Sequence, residues 1–119
     1  MKILLIEDDE LLRESTSMFL QEEGYEVHTA RNGIHGVRSA IDVEPNLILC
    51  DISMPRVNGY EVLRLLNEHP QVKNIPFIFL TAKTENADVE YGLSMGADGY
   101  LIKPFDFDKL LDTVRKWTP

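Results

Sequence analysis

The sequence predicts a doubly wound α/β domain: one five-stranded parallel sheet with helices on both faces. Three observations carry that expectation. Short apolar runs and amphipathic stretches alternate five times along the chain, the pattern of βα units joined by right-handed crossovers. The central run, Leu47-Ile48-Leu49-Cys50, is unbroken, as in a strand buried on both faces. The length, 119 residues, suits one domain and is too short for two, so residues 1–119 are expected to form a single unit.

The first run, Lys2 to Ile6, reads as a buried strand and ends in Glu7-Asp8-Asp9-Glu10. Acids favour the first turn of a helix through its dipole, and Asp9 is the expected N-cap. The helix that follows is expected to bury Leu11, Leu12, Met18 and Phe19, with small Ser15 between them, and to stop at Gly24. Tyr25 to Ala30 alternates and suits a less buried strand next to an edge. Asn32-Gly33 turns the chain, and Ile34, Val37 and Ile41 mark one face of a second helix that Pro45 ends.

The central strand stops at Asp51, and Met54-Pro55 and Asn58-Gly59 impose a loop before the third helix. That helix carries Val62, Leu63, Leu65 and Leu66 and is stopped by Pro70. Pro76 to Leu80 is a fourth buried strand, ending in Thr81. Glu85 to Met95 reads as a weakly amphipathic helix with Val89 and Leu93 inward. Gly96 to Gly99 turns again, and Tyr100-Leu101-Ile102 is a fifth strand ending in Lys103-Pro104. Asp106 caps the last helix, whose inner face is Leu110, Leu111, Val114 and Trp117.

Composition narrows the function classes. The net charge of −8 repels phosphate backbones, so direct nucleic-acid binding by this domain is not expected. One cysteine, Cys50, excludes an internal disulfide and a cysteine-based zinc site. His28, His35 and His69 have no ligand spacing. No apolar run approaches the ~20 residues that span a bilayer. The N-terminus lacks the length and cleavage site of a signal peptide, so a cytoplasmic location with no membrane partner is the expectation.

In an open α/β sheet, ligands bind at the carboxyl ends of the strands. Here those ends carry Glu7-Asp8, Asp51, Thr81 and Lys103. Singly, each has a plain alternative: a turn aspartate, a β-branched strand residue, a surface ammonium. Together they are complementary. If the strand order is the flavodoxin-like 2-1-3-4-5, Glu7, Asp8 and Asp51 converge at the switch point. Crowded carboxylates raise one another's pKa, and a hard cation such as Mg²⁺, with its oxygen ligands, relieves the conflict. Thr81 adds a hydroxyl, and Lys103 adds a compact positive charge suited to a phosphate oxygen or to Asp51. That set permits attack by Asp51 on a phosphoryl group, giving an aspartyl phosphate.

With those residues in place, the chain resembles the receiver domains of two-component response regulators. The resemblance rests on Glu7-Asp8-Asp9, on Asp51 with Met54-Pro55 and Gly59, on Thr81-Ala82, and on Lys103-Pro104-Phe105. It covers essentially the whole chain, in order. It implies that Asp51 is the phosphoacceptor, and that Asp8 binds Mg²⁺ directly and Glu7 mainly through water, with the Ser53 carbonyl as a further ligand. It implies that Thr81 and Lys103 contact the phosphoryl group, that Tyr100 is the switch aromatic, and that the Lys103-Pro104 bond is cis. Glu7 stands where the family often has aspartate, and glutamate is also accepted there.

Ser53 and Lys83, two residues after Asp51 and Thr81, occupy the rim positions that in similar domains tune water's access to the acyl phosphate. Lys83 is expected to modulate autodephosphorylation; the plain alternative is a solvated lysine. The expected function is therefore a phosphorylation switch rather than a turnover enzyme. A histidine kinase or phosphotransfer protein would donate the phosphoryl group. The face of the fourth helix and fifth strand, with Tyr91, Tyr100 and the Gly96–Gly99 loop, would serve output or homodimerisation together with the last helix. Two rivals remain at this stage. A phosphohydrolase of the haloacid dehalogenase type normally has an acid two residues after its nucleophile, where this chain has Ser53. A degenerate receiver acting only as a binding module would lack the complete set.

Overall fold

The computed structural model describes residues 1–82 and 86–119. Five strands and five helices alternate: β1 (Lys2–Ile6), α1 (Glu10–Glu22), β2 (Glu26–Ala30), α2 (Gly33–Val43), β3 (Leu47–Asp51), α3 (Gly59–Asn67), β4 (Phe77–Ala82), α4 (Asn86–Ser94), β5 (Gly99–Lys103) and α5 (Phe107–Trp117). All strand pairs are parallel, in the order β2-β1-β3-β4-β5. The predicted fold class is the observed one.

The sheet divides two apolar layers. On one side Leu4, Ile6, Ile48, Cys50, Phe77 and Phe79 meet Ala40 of α2 and Val62, Leu63 and Leu66 of α3. On the other, Ile3, Leu5, Leu49, Ile78 and Leu80 meet Leu20 of α1 and Leu110 and Val114 of α5. Alternate residues of each central strand thus serve opposite layers, which is why β3 needs five buried residues in a row. Each fully buried Leu or Ile contributes about 1.5–3 kcal/mol. β2 lies at the sheet's edge rather than beside it, and of its five residues only Ala30 is buried.

The caps fall where expected. Asp9 accepts from the Leu12 amide, Asp106 from the Lys109 amide, and Gly24, with φ of 97°, follows the end of α1. Asn32, read from sequence as a turn residue, is the N-cap of α2. Asn58 and Glu61 form a reciprocal capping box on α3.

Three helix faces differ from expectation. α1 buries Thr16 and Leu20 and half-buries Leu12 and Phe19, while Leu11 and Met18 are 77% and 60% exposed. Leu12, Thr16, Phe19 and Leu20 share one face at 100° per residue, and Leu11 and Met18 are turned off it. α2 turns Gly33, Gly36 and Ala40 inward and leaves Ile34 half exposed. A Cβ on Gly36 would lie 2.5 Å from Ile6 Cδ1, so small residues set how closely α2 approaches the sheet. In α4, Leu93 is exposed and Gly92 is buried against the Phe79 ring. Glu85, the expected first residue of α4, lies outside the described residues.

Candidate functional site

The carboxyl ends of β1, β3 and β5 build one acidic cleft. The β1 ladder continues one residue past the strand, since the Glu7 amide donates to the Ala30 carbonyl at 3.0 Å. That bond fixes the backbone where the chain leaves the sheet for α1. Glu7 is 1% exposed, whereas Asp8 faces solvent. Asp51, last in β3, is 5% exposed. Glu7, Asp8 and Asp51 each present one carboxylate oxygen, all within 4.8 Å of one another. Three hard oxygen donors, one of them open to water, fit Mg²⁺, which keeps several waters and takes few carboxylates.

Lys103 enters from the end of β5. Its Nζ lies 2.6 Å from Glu7 Oε1 and 3.1 Å from Asp51 Oδ1. The other Glu7 oxygen, Oε2, accepts from the Asp9 amide at 3.2 Å. Glu7 is thus held against Lys103 on one side and the start of α1 on the other.

The electrostatics follow from this crowding. Burial first, and the Glu7 charge second, push the Asp51 carboxyl up to about 7, against the opposing pull of Lys103. For Lys103 burial pulls downward, but Glu7 and then Asp51 outweigh it and raise the amine above its ordinary value. Cys50, next to Asp51 but facing the opposite layer, has its thiol raised well above the usual range, chiefly by burial, so it stays protonated and unreactive.

The floor of the cleft is shaped by Gly59. A Cβ there would lie 2.5 Å from the Asp51 carbonyl oxygen, so only glycine lets α3 start directly against the end of β3. Between them, the Ile52 carbonyl accepts from the amides of Met54 and Gly59, folding the loop back on itself. Ser53 sits at the exposed tip of this loop.

Thr81 is buried at the end of β4, and its hydroxyl donates to the Ala82 carbonyl at 3.1 Å. Its neighbour Ala82 pairs in register with Lys103, which sets Thr81 on the rim shared with β5. Tyr100 pairs in register with Phe79 and is 45% exposed, and Tyr91 is 55% exposed. The Lys103-Pro104 bond is cis, as the resemblance implied. Lys83 lies outside the described residues.

Glu7, Asp8, Asp51 and Lys103, the core of the sequence-predicted site, therefore meet. Two features were not legible beforehand. Glu7 pairs directly with Lys103, whereas its place in the acidic run only groups it with the acids. Arg13, one turn into α1, donates from Nη1 to the Glu7 carbonyl at 2.9 Å. Its signal is only a basic residue a helical turn beyond the acidic run.

Comparison with known proteins agrees with this geometry. The family model described as response regulator receiver domain matches residues 3–115. A probable transcriptional regulator, ycf29 of Pyropia yezoensis, is 41% identical over 95% of this chain and 51% of its own length. The chain spans about half the length of the curated relatives it matches. The chemotaxis protein CheY4 of Vibrio cholerae superposes with a TM-score of 0.93 at 33% identity, covering 98% of this chain and 97% of that one. The receiver domain of the sensor histidine kinase PA1611 from Pseudomonas aeruginosa PAO1 superposes at 0.89 with 33% identity, covering 98% and 95% of the two chains. That structure has a magnesium ion coordinated in its active site cleft. By fold, by the residues at its strand ends and by these matches, the chain belongs to the response regulator receiver domain family.

Proposed function

We propose that this receiver domain accepts a phosphoryl group on Asp51 from a phosphohistidine of a histidine kinase or phosphotransfer protein. The observation that carries the reading is the convergence of three carboxylate oxygens within 4.8 Å, with Lys103 Nζ 3.1 Å from Asp51 Oδ1. An Asp51 carboxylate oxygen attacks phosphorus, the P–N bond of the donor breaks, and the donor imidazole keeps the electron pair and takes a proton from water. Asp8, Asp51 and the Ser53 carbonyl would hold Mg²⁺, with Glu7 contributing mainly through water. When bound, the ion offsets negative charge on the phosphoryl oxygens.

Lys103 already contacts the Asp51 carboxylate, and it balances the added charge of about −1.5 to −2. Thr81 exchanges its bond to the Ala82 carbonyl for a phosphoryl oxygen, and Tyr100 leaves its exposed position for the space behind Thr81. The α4–β5–α5 face, with Tyr91 and Tyr100, is the surface that changes for output or homodimerisation. Ser53 and Lys83 govern how fast water reaches the acyl phosphate, and so the lifetime of the signal. Such a domain works in the cytoplasm as a switch that assists its own phosphorylation and dephosphorylation.

The deciding experiment is intact mass after incubation with Mg²⁺ and a small acyl phosphate. The wild type should gain the mass of one phosphoryl group and Asp51→Asn should gain none. Equal labelling of both, or of neither, overturns the assignment. In a companion measurement, an unchanged phosphoryl lifetime in Lys83→Ala would remove the rim role of Lys83.

A further inference from the structure

We propose that Arg13 is a positioning residue for the acidic pocket, acting through the main chain that joins Glu7 to Asp8. The inference rests on the pocket being the Mg²⁺ and phosphoryl site. Its basis is how the Glu7–Asp8 peptide is held. The sheet holds only the preceding peptide, whose Glu7 amide donates to the Ala30 carbonyl at 3.0 Å. On the helix side, Arg13 Nη1 donates to the Glu7 carbonyl at 2.9 Å. That carbonyl is half of the peptide whose other half is the Asp8 amide.

Past the Glu7 amide the ladder ends, and among the described residues no strand neighbour fixes the plane of the Glu7–Asp8 peptide. Arg13 supplies the missing constraint. Its own position is set by α1: the Arg13 amide bonds to the Asp9 carbonyl, Asp9 caps the helix, and the Asp9 amide in turn bonds to Glu7 Oε2. Glu7, Asp9 and Arg13 therefore form a closed hydrogen-bonded circuit around Asp8, the one pocket acid that faces solvent. With the Glu7 carbonyl held, the peptide leading into Asp8 keeps one orientation, and the Asp8 carboxylate stays with the Glu7 and Asp51 oxygens within 4.8 Å. With the carbonyl released to water, the peptide plane is free to rotate and the three-oxygen cluster loosens. Supporting partners of this kind set ligand orientation rather than ligand chemistry.

The test uses Arg13→Met, which keeps the apolar stem and removes the donor, and Arg13→Lys, which keeps the charge and one donor. In metal-free protein, the Asp8 amide should shift and broaden in NMR spectra of Arg13→Met, while amides of β3 and β5 stay in place. Its Mg²⁺ dissociation constant should rise about tenfold, with Arg13→Lys intermediate. The Mg²⁺ concentration for half-maximal phosphorylation should rise in parallel, while the rate at saturating Mg²⁺ stays near wild type. An unmoved Asp8 amide in folded Arg13→Met, or an unchanged Mg²⁺ affinity, overturns the role of Arg13 alone. Failure of the wild type itself to bind Mg²⁺ overturns this inference together with the proposed function.

Discussion

Lys103 stands closer to Glu7, at 2.6 Å, than to Asp51, at 3.1 Å. The lysine is therefore not a spectator of the phosphoacceptor. It is the sole basic side chain bridging two buried acids among the described residues, and it is what allows both to occupy one cleft.

Removing that amine should cost stability in a pH-dependent way. In Lys103→Met, Glu7 and Asp51 face each other without compensation, and breaking such a pair costs about 3–5 kcal/mol at neutral pH. The Asp51 carboxyl, already raised, then loses the opposing pull of the amine, so the folded state binds more protons than the unfolded one, and stability falls as pH rises from the ordinary carboxylate range. Urea denaturation of Lys103→Met should recover most of the deficit toward pH 4.5 or so. A deficit independent of pH would contradict this account.

Asp51 itself works against folding at neutral pH. Its folded carboxyl, at about 7, lies above the ordinary 3.8, so the proton-binding folded state loses relative stability as pH rises between those values. The unscreened equivalent is about 4 kcal/mol, and water at the mouth of the cleft reduces it to about 2 kcal/mol. Asp51→Asn should therefore be the more stable protein above neutrality, with the difference closing toward pH 4. A mutant less stable than wild type at high pH would refute the assignment of strain to this carboxylate.

Metal binding should report the same proton. A ligand carboxyl titrating at about 7 must lose its proton to bind a cation. The apparent Mg²⁺ dissociation constant should rise about tenfold for each pH unit below neutrality and level off above it. Isothermal titration calorimetry across that range checks the slope, and Asp51→Asn should flatten it.

The core of α1 contains a separate defect. Thr16 is 1% exposed, and among the described residues its Oγ1 has no hydrogen-bond partner. A buried unpaired hydroxyl costs about 1–3 kcal/mol. Thr16→Val keeps the shape and removes the oxygen, so it should raise stability by about 1 kcal/mol, or roughly 4–5 °C in Tm for a domain of this size. It should leave Mg²⁺ affinity unchanged. An unchanged or lower Tm would mean that Thr16 has a partner in solution.

Much was already written in the chain. Five apolar runs with period-two or continuous burial specify strands, the caps Asp9 and Asp106 specify where the first and last helices begin, and chirality then leaves few topologies. The site residues were legible for the same reason: they are whatever ends each run, and a parallel sheet gathers those ends on one edge. What the linear order could not decide was orientation. In the doublets Leu11-Leu12 and Met18-Phe19 either member could face inward, and only packing against β1 and α5 selected Leu12 and Phe19 and turned the others out. Nor could it pair Glu7 with Lys103, or Arg13 with the Glu7 carbonyl. Such contacts depend on distances of a few ångströms between segments far apart in sequence or across a turn, and those distances exist only once the sheet and its helices are packed.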